Sequence, residues 1–547
     1  MAAWIYGLSI LLMILLPVLL AAGLRRLAQP AWILFGAGCL TFTLSQVVHL
    51  PLNNWLASVG LLPGKIFSGQ PLWQTALILG LTAGLCEELM RAVGYAVIQR
   101  FKSDWLRLPD ALMLGLGHGG IESMVFGGVL TAASIGALLP LIGVDLNTLG
   151  LKPDQVNALR QQLIVLIATP WIGLLPHVER IIAISAHGIF SLMVWKAFSG
   201  SRPLRWLYLP LAVLYHAAVD FSAVYGVHYL ADKPLLIEII FLGVMIPGYL
   251  WAYRQIRGYA KADGAPSRIP NSSIRSELAV FGAAVQKEIR QQWRTRRMLV
   301  LAAVFLFFGM GSPLITKLTP DLLQSVQGGE LIAKLMPQPS AAEAMNQYIK
   351  NLYQFGFLLA ILLAMGAVVG EKEARVAPMI LSKPMPRWAF IAGKFSAQGL
   401  MYLGAFILAG IGAYYYTWIL FRPLEPWNFI LMNFLLLMWI LPFVALSLLG
   451  SVLGKTTAGA GGIAVGLCVG LTLAGSIPQY GALLPGGLLG WATQAGQAAA
   501  GIQPAAVNLA SASIAQMPVN GGALASAVVV IILSLVLSIG FFEHQEL

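Results

Sequence analysis

A chain of 547 residues that is 58% hydrophobic, only 10% charged and has a mean hydropathy of +0.79 is excluded from the soluble globular class. Its net charge of +12 does not imply nucleic acid as a partner, because Lys and Arg gather in short stretches between apolar runs, the bias of cytoplasmic loops. Cys39, Cys86 and Cys468 all sit in apolar segments without a pairing pattern, so neither a disulfide framework nor a cysteine metal site is indicated.

Apolar runs of spanning length fall near 3–24, 31–50, 72–99, 109–138, 178–198, 206–229 and 233–253. The first lacks a basic region ahead of it and exceeds a typical signal core, so it reads as a retained span. A weaker run at 161–175 is broken by Pro170 and followed by Pro176. The basic loops 25–29, 100–107 and 196–205 and the stretch from Arg254 onward share one side only if that run does not cross. The expectation is about seven spans with an outside N-terminus, plus a re-entrant or interfacial helix. These make a first domain, 1–256, followed by a Gly-, Pro- and Ser-punctuated cytosolic linker, 257–280.

The second domain, 281–547, opens with a basic amphipathic helix at 281–301 and offers six runs, near 298–316, 352–370, 395–420, 428–453, 459–477 and 522–542. The loop 371–394 carries Lys372, Arg375, Lys383, Arg387 and Lys394 and belongs in the cytosol. The fold class is therefore an all-α, polytopic helical bundle in the membrane. GSVLGKTT at 450–457 resembles a phosphate-binding loop, but three residues rather than four separate its glycines and no strand precedes it. Lys455 is assigned to a short cytoplasmic turn, which leaves no visible ATPase.

Four spans of the first domain carry ionisable residues in their interiors: Glu87, Glu88 and Arg91; His118 and Glu122; Glu179, Arg180 and His187; His216 and Asp220. Each buried charge costs roughly 2.5–3.5 kcal/mol on insertion scales and marks a functional site by default. Glu87/Arg91, His118/Glu122 and His216/Asp220 are i,i+4 pairs that share a helix face. Counted inward from the basic loops, Glu87, His118, His187 and His216 lie about 14–20 Å deep at ~1.5 Å per residue, on one level. Alignment in depth argues for one site. Two neighbouring carboxylates in a low dielectric do not easily both carry charge, which suits general acid or base work, and Arg91 would keep one ionised. Histidines from three other helices would position a nucleophilic water and an oxyanion. The combination suits peptide hydrolysis within the membrane. His118, Glu122, His187, His216 and Asp220 are also acceptable zinc ligands, although no HExxH helix is present. Gly119 and Gly120 would admit a close approach of backbone or substrate to His118, or close helix packing.

EExxR at Glu87–Arg91, HGGxE at His118–Glu122, ERxxAxxxH at Glu179–His187 and HxxxD at His216–Asp220 resemble, in that order, YhfC-type membrane proteins. Those are relatives of the CAAX-processing and bacteriocin-processing intramembrane proteases, and the resemblance covers about 30–230. It implies that Glu87 activates water beside Glu88 and Arg91, that His118 orients it, and that His216, backed by Asp220, holds the oxyanion. The better-known branches carry FxxxH as second motif and Asn in the last, where this chain has His118 before the Gly pair and Asp220.

The second half resembles type-2 ABC exporter permeases, with 281–301 as the elbow helix along the inner membrane surface. This resemblance implies that the loop holding Glu371, Glu373, Arg375, Lys383 and Pro384 contacts the ATPase. ATP would be consumed only by a separate ABC ATPase subunit, and a dimer or a second permease is expected. The leading expectation is a bacterial inner-membrane protein that couples proteolytic maturation of a peptide or lipopeptide to its export. The rivals are an exporter whose first half is a non-catalytic scaffold, and a zinc hydrolase with a permease-like anchor. No nucleic acid is expected as a partner.

Overall fold

The computed structural model describes residues 2–63, 71–149, 152–199, 203–230, 233–262, 274–324, 339–382, 385–477, 480–502 and 519–545. Among them every regular element is helical. By internal packing the chain divides into one unit of Met1–Thr131 with Ile164–Asn271 and another of Ala132–Leu163 with Ser272–Leu547. Among the described residues, twelve helical segments are long and apolar enough to cross a membrane, six ending by Ala260 and six starting from Arg297. The helix Leu72–Phe101 is not among them, although 30 residues suffice to cross. Glu87, Glu88 and Arg91 lie in that helix and lower its hydropathy.

In the first unit, α1 (Ala2–Ala28) stops where Gln29 adopts φ 55° and Pro30 follows, and Arg25 donates to the Gln29 and Pro30 carbonyls. Next come α2 (Trp32–Ser58) and α3 (Leu72–Phe101). The following helix, α4 (Leu108–Glu122), is started by Pro109 and by Asp110, whose carboxylate accepts from the Arg107 backbone N–H at 3.2 Å and from its guanidinium at 2.8 and 2.9 Å. It runs through a π-helical stretch, Ser123–Val129, into α5 (Leu130–Leu138), so the apolar run at 109–138 is one rod with a wide turn inside it, although the residues from Ala132 to Leu163 are counted with the second unit. At about 1.5 Å per residue the 16-residue α6 (Pro153–Ala168) is too short to cross, and the break expected at Pro170 is a 3-10 turn, Pro170–Leu174. The unit closes with α7 (Leu175–Ser199), α8 (Tyr208–Tyr229) and α9 (Pro234–Ala262).

The longer stretch of the second unit begins with the amphipathic α10 (Ile274–Arg294), which turns at Arg296 (φ 59°) into α11 (Arg297–Gln324). Then follow α12 (Ala341–Ala364), the short α13 (Val369–Glu373) and α14 (Val376–Leu381), α15 (Arg387–Leu420), α16 (Pro426–Leu453), α17 (Thr457–Ala474), α18 (Gly487–Ala499) and α19 (Gly521–Glu543). Its core is aromatic and small-residue packing of α11, α12, α15 and α16, with Phe305, Tyr348, Tyr402 and Phe443 buried among alanines. The GSVLGKTT stretch ends one helix and starts the next. Lys455 lies in the connecting turn, and Thr456 caps α17 by accepting the Gly459 N–H.

Candidate functional site

Small residues let the helices that carry the polar groups come into backbone contact. A Cβ on Gly38 would lie 2.1 Å from the Leu114 carbonyl oxygen, and one on Gly117 would lie 2.0 Å from that of Phe35, so α2 and α4 tolerate no side chain there. Gly84 does the same for α3 and α8, where a Cβ would meet the Val213 oxygen at 2.6 Å. Of the possibilities left open for the Gly119–Gly120 pair, close packing holds: added Cβ atoms would stand 2.9 Å from the His187 ring and from Pro17.

Around this contact Glu87, Glu88, Arg91, His118, His187 and His216 are all buried. Glu87 Oε2 is 3.1 Å from His118 Nε2 and 3.9 Å from His216 Nε2. Arg91 pairs with Glu88 rather than Glu87, its Nη1 lying 2.6 and 2.5 Å from the two Glu88 oxygens. His216 Nδ1 is 2.8 Å from Glu88 Oε1, and its Nε2 is 3.5 Å from Asp220 Oδ2. Glu122 turns from its helix mate His118 to His187, with His187 Nε2 at 2.5 Å and Arg180 Nη1 at 2.9 Å. Arg180 is shared with Glu179. Phe190 stacks on the His216 ring at 4.5 Å between centroids. Of the pairings suggested by i,i+4 spacing, then, only His216/Asp220 lies at ion-pair distance. Apart from Arg91 with Glu88 and Arg180 with Glu179, the other contacts run between helices.

Hydrogen-bond accounting fixes the tautomers. The Thr41 hydroxyl donates to the Gly38 carbonyl at 2.8 Å, so it accepts Nδ1–H of His118 at 3.0 Å. His118 Nε2 therefore faces the Glu87 carboxylate at 3.1 Å, a contact that takes a proton or a metal cation between the two atoms. Glu88 accepts Nδ1–H of His216, whose Nε2 faces the Glu87 and Asp220 carboxylates. Arg91 has only protons to give, so it donates to His187 Nδ1 at 3.0 Å while His187 Nε2–H goes to Glu122.

Ligand atoms of Glu87, His118 and His187 lie within 4.8 Å of one another. One carboxylate and two imidazoles form a donor set suited to zinc, and Thr41 on His118 and Glu122 on His187 are the outer partners such ligands require. The donor set fits a metal once His187 Nδ1 is released from Arg91. Its carboxylate is Glu87, whereas Glu122, His216 and Asp220 stand outside that cluster.

Four neighbours of the site were not singled out in the sequence. Gln46, His49 and Asn53 form a polar stripe at i, i+3 and i+7 on α2, and Thr82 faces them from α3. Their spacing inside an apolar helix was the available signal.

In the second unit, Glu371 is buried. Its Oε1 lies 2.5 Å from Lys287 and 2.9 Å from Lys394, and both lysines also reach Glu288 Oε1, at 2.7 and 2.9 Å. Glu373 holds the start of α17 through the Thr457 N–H and hydroxyl, at 3.2 and 2.5 Å. Arg375, at φ 55° before α14, is exposed, as is Met379. Lys383 and Pro384 lie outside the described residues.

Residues 12–241 match the family described as YhfC intramembrane metalloprotease, and residues 283–547 match the family described as ABC-2 family transporter protein. Two Bacillus subtilis (strain 168) proteins are similar to parts of the chain. The transmembrane protein YxlG is 27% identical over 209 residues, 38% of this chain and 80% of the relative. The membrane protein YhfC is 27% identical over 248 residues, 44% of this chain and 92% of the relative. No solved structure matches significantly. Permeases of the ABC-2 family usually work with an ABC ATPase subunit. The chain is thus a multi-pass membrane protein in which a YhfC-type, intramembrane-metalloprotease-family region at 12–241 is joined to an ABC-2 family transporter permease region at 283–547.

Proposed function

We propose that the first region hydrolyses a peptide bond within the membrane and depends on a divalent metal, zinc by donor type. The observation that carries this reading is the meeting of Glu87, His118 and His187 in a buried cluster inside the family-matched region. Glu87 Oε2, His118 Nε2 and one nitrogen of His187 would hold the metal, which when bound polarises the scissile carbonyl and its water. His187 gives up Arg91 for this, and Arg91 keeps both oxygens of Glu88. His216 Nε2 takes the proton from the attacking water as the C–O bond forms, then delivers it to the leaving nitrogen as the C–N bond breaks. Glu88, clamped by Arg91, holds Nδ1–H of that imidazole and stabilises its charged form, the part an aspartate takes in a Ser-His-Asp triad. The resemblance assigned water activation to Glu87. The place of His216 Nε2 between the Glu87 and Asp220 carboxylates favours the histidine for moving the proton.

The second region would carry the product outward, driven by a separate ABC ATPase subunit that docks at the exposed Arg375–Met379 surface. A shared chain gives the permease a high effective concentration of product, which is the reason to couple the steps. Quantitative analysis of membrane peptides from bacterial cells producing the chain or its Glu87→Gln variant tests the reading. Fragments ending inside a span should appear only with the unaltered chain and disappear with a permeant chelator. Identical fragments in both samples would remove the protease assignment.

A further inference from the structure

Glu87 has a second neighbour, and that neighbour belongs to a longer chain. Gln46 Nε2 lies 3.1 Å from Glu87 Oε1, and Gln46 Oε1 lies 3.2 Å from His49 Nδ1. His49 Nε2 is 2.9 Å from Asn53 Nδ2, and Asn53 Oδ1 is 2.9 Å from the Thr82 hydroxyl. Chemistry fixes the direction of three bonds. A carboxylate only accepts, so the Gln46 amide turns its N–H to Glu87 and its oxygen to His49. That oxygen requires Nδ1–H on His49, which leaves Nε2 to accept from Asn53 and turns the Asn53 oxygen toward Thr82. Thr82 ends the chain, its one hydroxyl proton facing Asn53 Oδ1 at 2.9 Å, the Leu79 carbonyl at 3.0 Å and His49 Nε2 at 3.3 Å.

Three hydrogen bonds therefore run head to tail along α2, and all of them donate toward Glu87. Polarised chains of this kind strengthen each member, and a carboxylate acceptor at the end gains most. The chain also selects an oxygen. Oε1 is taken by Gln46, so Oε2, 3.1 Å from His118, is the atom left for a cation. Packing alone does not ask three polar side chains on one helix to point the same way.

We propose that the Thr82–Asn53–His49–Gln46 chain is the outer support of the metal site, occupying Oε1 of Glu87 and presenting its Oε2 as ligand. Gln46, His49 and Asn53 are positioning residues that act through Glu87. The proposal rests on the metal-dependent reading above.

The test is Co2+ titration of the purified, detergent-solubilised full chain, followed by its visible absorption, with Zn2+ competition giving affinity. Gln46→Met and His49→Phe should each weaken binding about 10–100-fold, the usual effect of losing an outer-shell partner. His49→Asn, which keeps an N–H where Nδ1 sits, should stay within about threefold of the unaltered chain. Circular dichroism and size exclusion identify variants that do not fold. If Gln46→Met is among them, His49→Phe and Asn53→Leu carry the test. Unaltered Co2+ affinity in the folded Gln46→Met, His49→Phe and Asn53→Leu chains overturns this proposal alone, provided the parent chain binds Co2+. A parent chain that binds neither ion overturns the metal reading and this proposal with it.

Discussion

Substituting Lys394 by Met takes one cation from a closed ring of four charges and leaves the rest buried. Lys394 is 1% exposed, and its Nζ stands 2.9 Å from Glu288 Oε1 and from Glu371 Oε1, carboxylates that are themselves 5% and 6% exposed. Without it, two buried carboxylates face only Lys287, which is half-buried. Removing one partner from a buried pair typically costs about 3–5 kcal/mol, because the other charge stays uncompensated. At about 2–4 °C per kcal/mol for a unit of this size, the melting temperature should fall by on the order of 6–20 °C. Thermal unfolding of the detergent-solubilised chain, read by tryptophan fluorescence at a fixed scan rate, measures it. The double variant Lys394→Met/Glu371→Gln restores neutrality and should recover more than half of the loss. A single variant within about 2 °C of the parent, or a double variant no better than the single, would refute the ring as a balanced unit. The ring joins the elbow helix α10, the loop helix α13 and α15, so the same variants should also loosen the loop that carries Arg375.

Gly117→Ala should separate α2 from α4, since its methyl would meet the Phe35 oxygen at 2.0 Å; the expected outcome is loss of Co2+ binding by a chain that is still helical by circular dichroism. Arg180→Gln frees Glu122 from one of its two partners and should weaken Co2+ binding by about 10-fold, the lower end of outer-shell effects, in the same titration. Ser451→Val strips the hydroxyl that accepts the N–H groups of Val368 and Val369 at 2.9 and 3.1 Å, leaving both buried donors unpaired. It should cost about 1–3 kcal/mol per donor, read as a lower melting temperature. Burial alone would lower the Lys287 ammonium, yet Glu288 and Glu371 outweigh it and hold it above the ordinary lysine value of 10.5. Its stabilisation is then complete below that pH and lost only as pH rises through the higher folded value, so Lys287→Met should flatten the stability profile above about pH 10.5.

The membrane class and the two-part organisation were legible because hydropathy and loop charge are local properties of the sequence. The polar groups were legible for the same reason: Glu87, His118, His187 and His216 stand out against apolar neighbours, and depth counting needs only helix rise. Partner choice was not legible. Helical spacing offered Arg91 to Glu87 and Glu122 to His118, whereas Arg91 holds Glu88 and Glu122 holds His187. Which face meets which neighbour depends on backbone contacts such as Gly38 with α4, and no single-helix pattern encodes those. The stripe at Gln46, His49 and Asn53 was readable at i, i+3 and i+7, but neutral amides do not announce themselves as carboxylates do. Glu371 looked like a cytosolic loop residue, and only the fold of α10 against α15 places Lys287 and Glu288 beside it.

The central claim is that Glu87, His118 and His187 form a metal-holding hydrolytic centre. Elemental analysis of the full chain, purified without chelators and compared with its His118→Ala variant, tests it most directly. The account predicts close to one zinc or other divalent ion per unaltered chain and almost none in the variant. Metal-free parent protein that remains metal-free after zinc is added, or equal metal content in both chains, would contradict it.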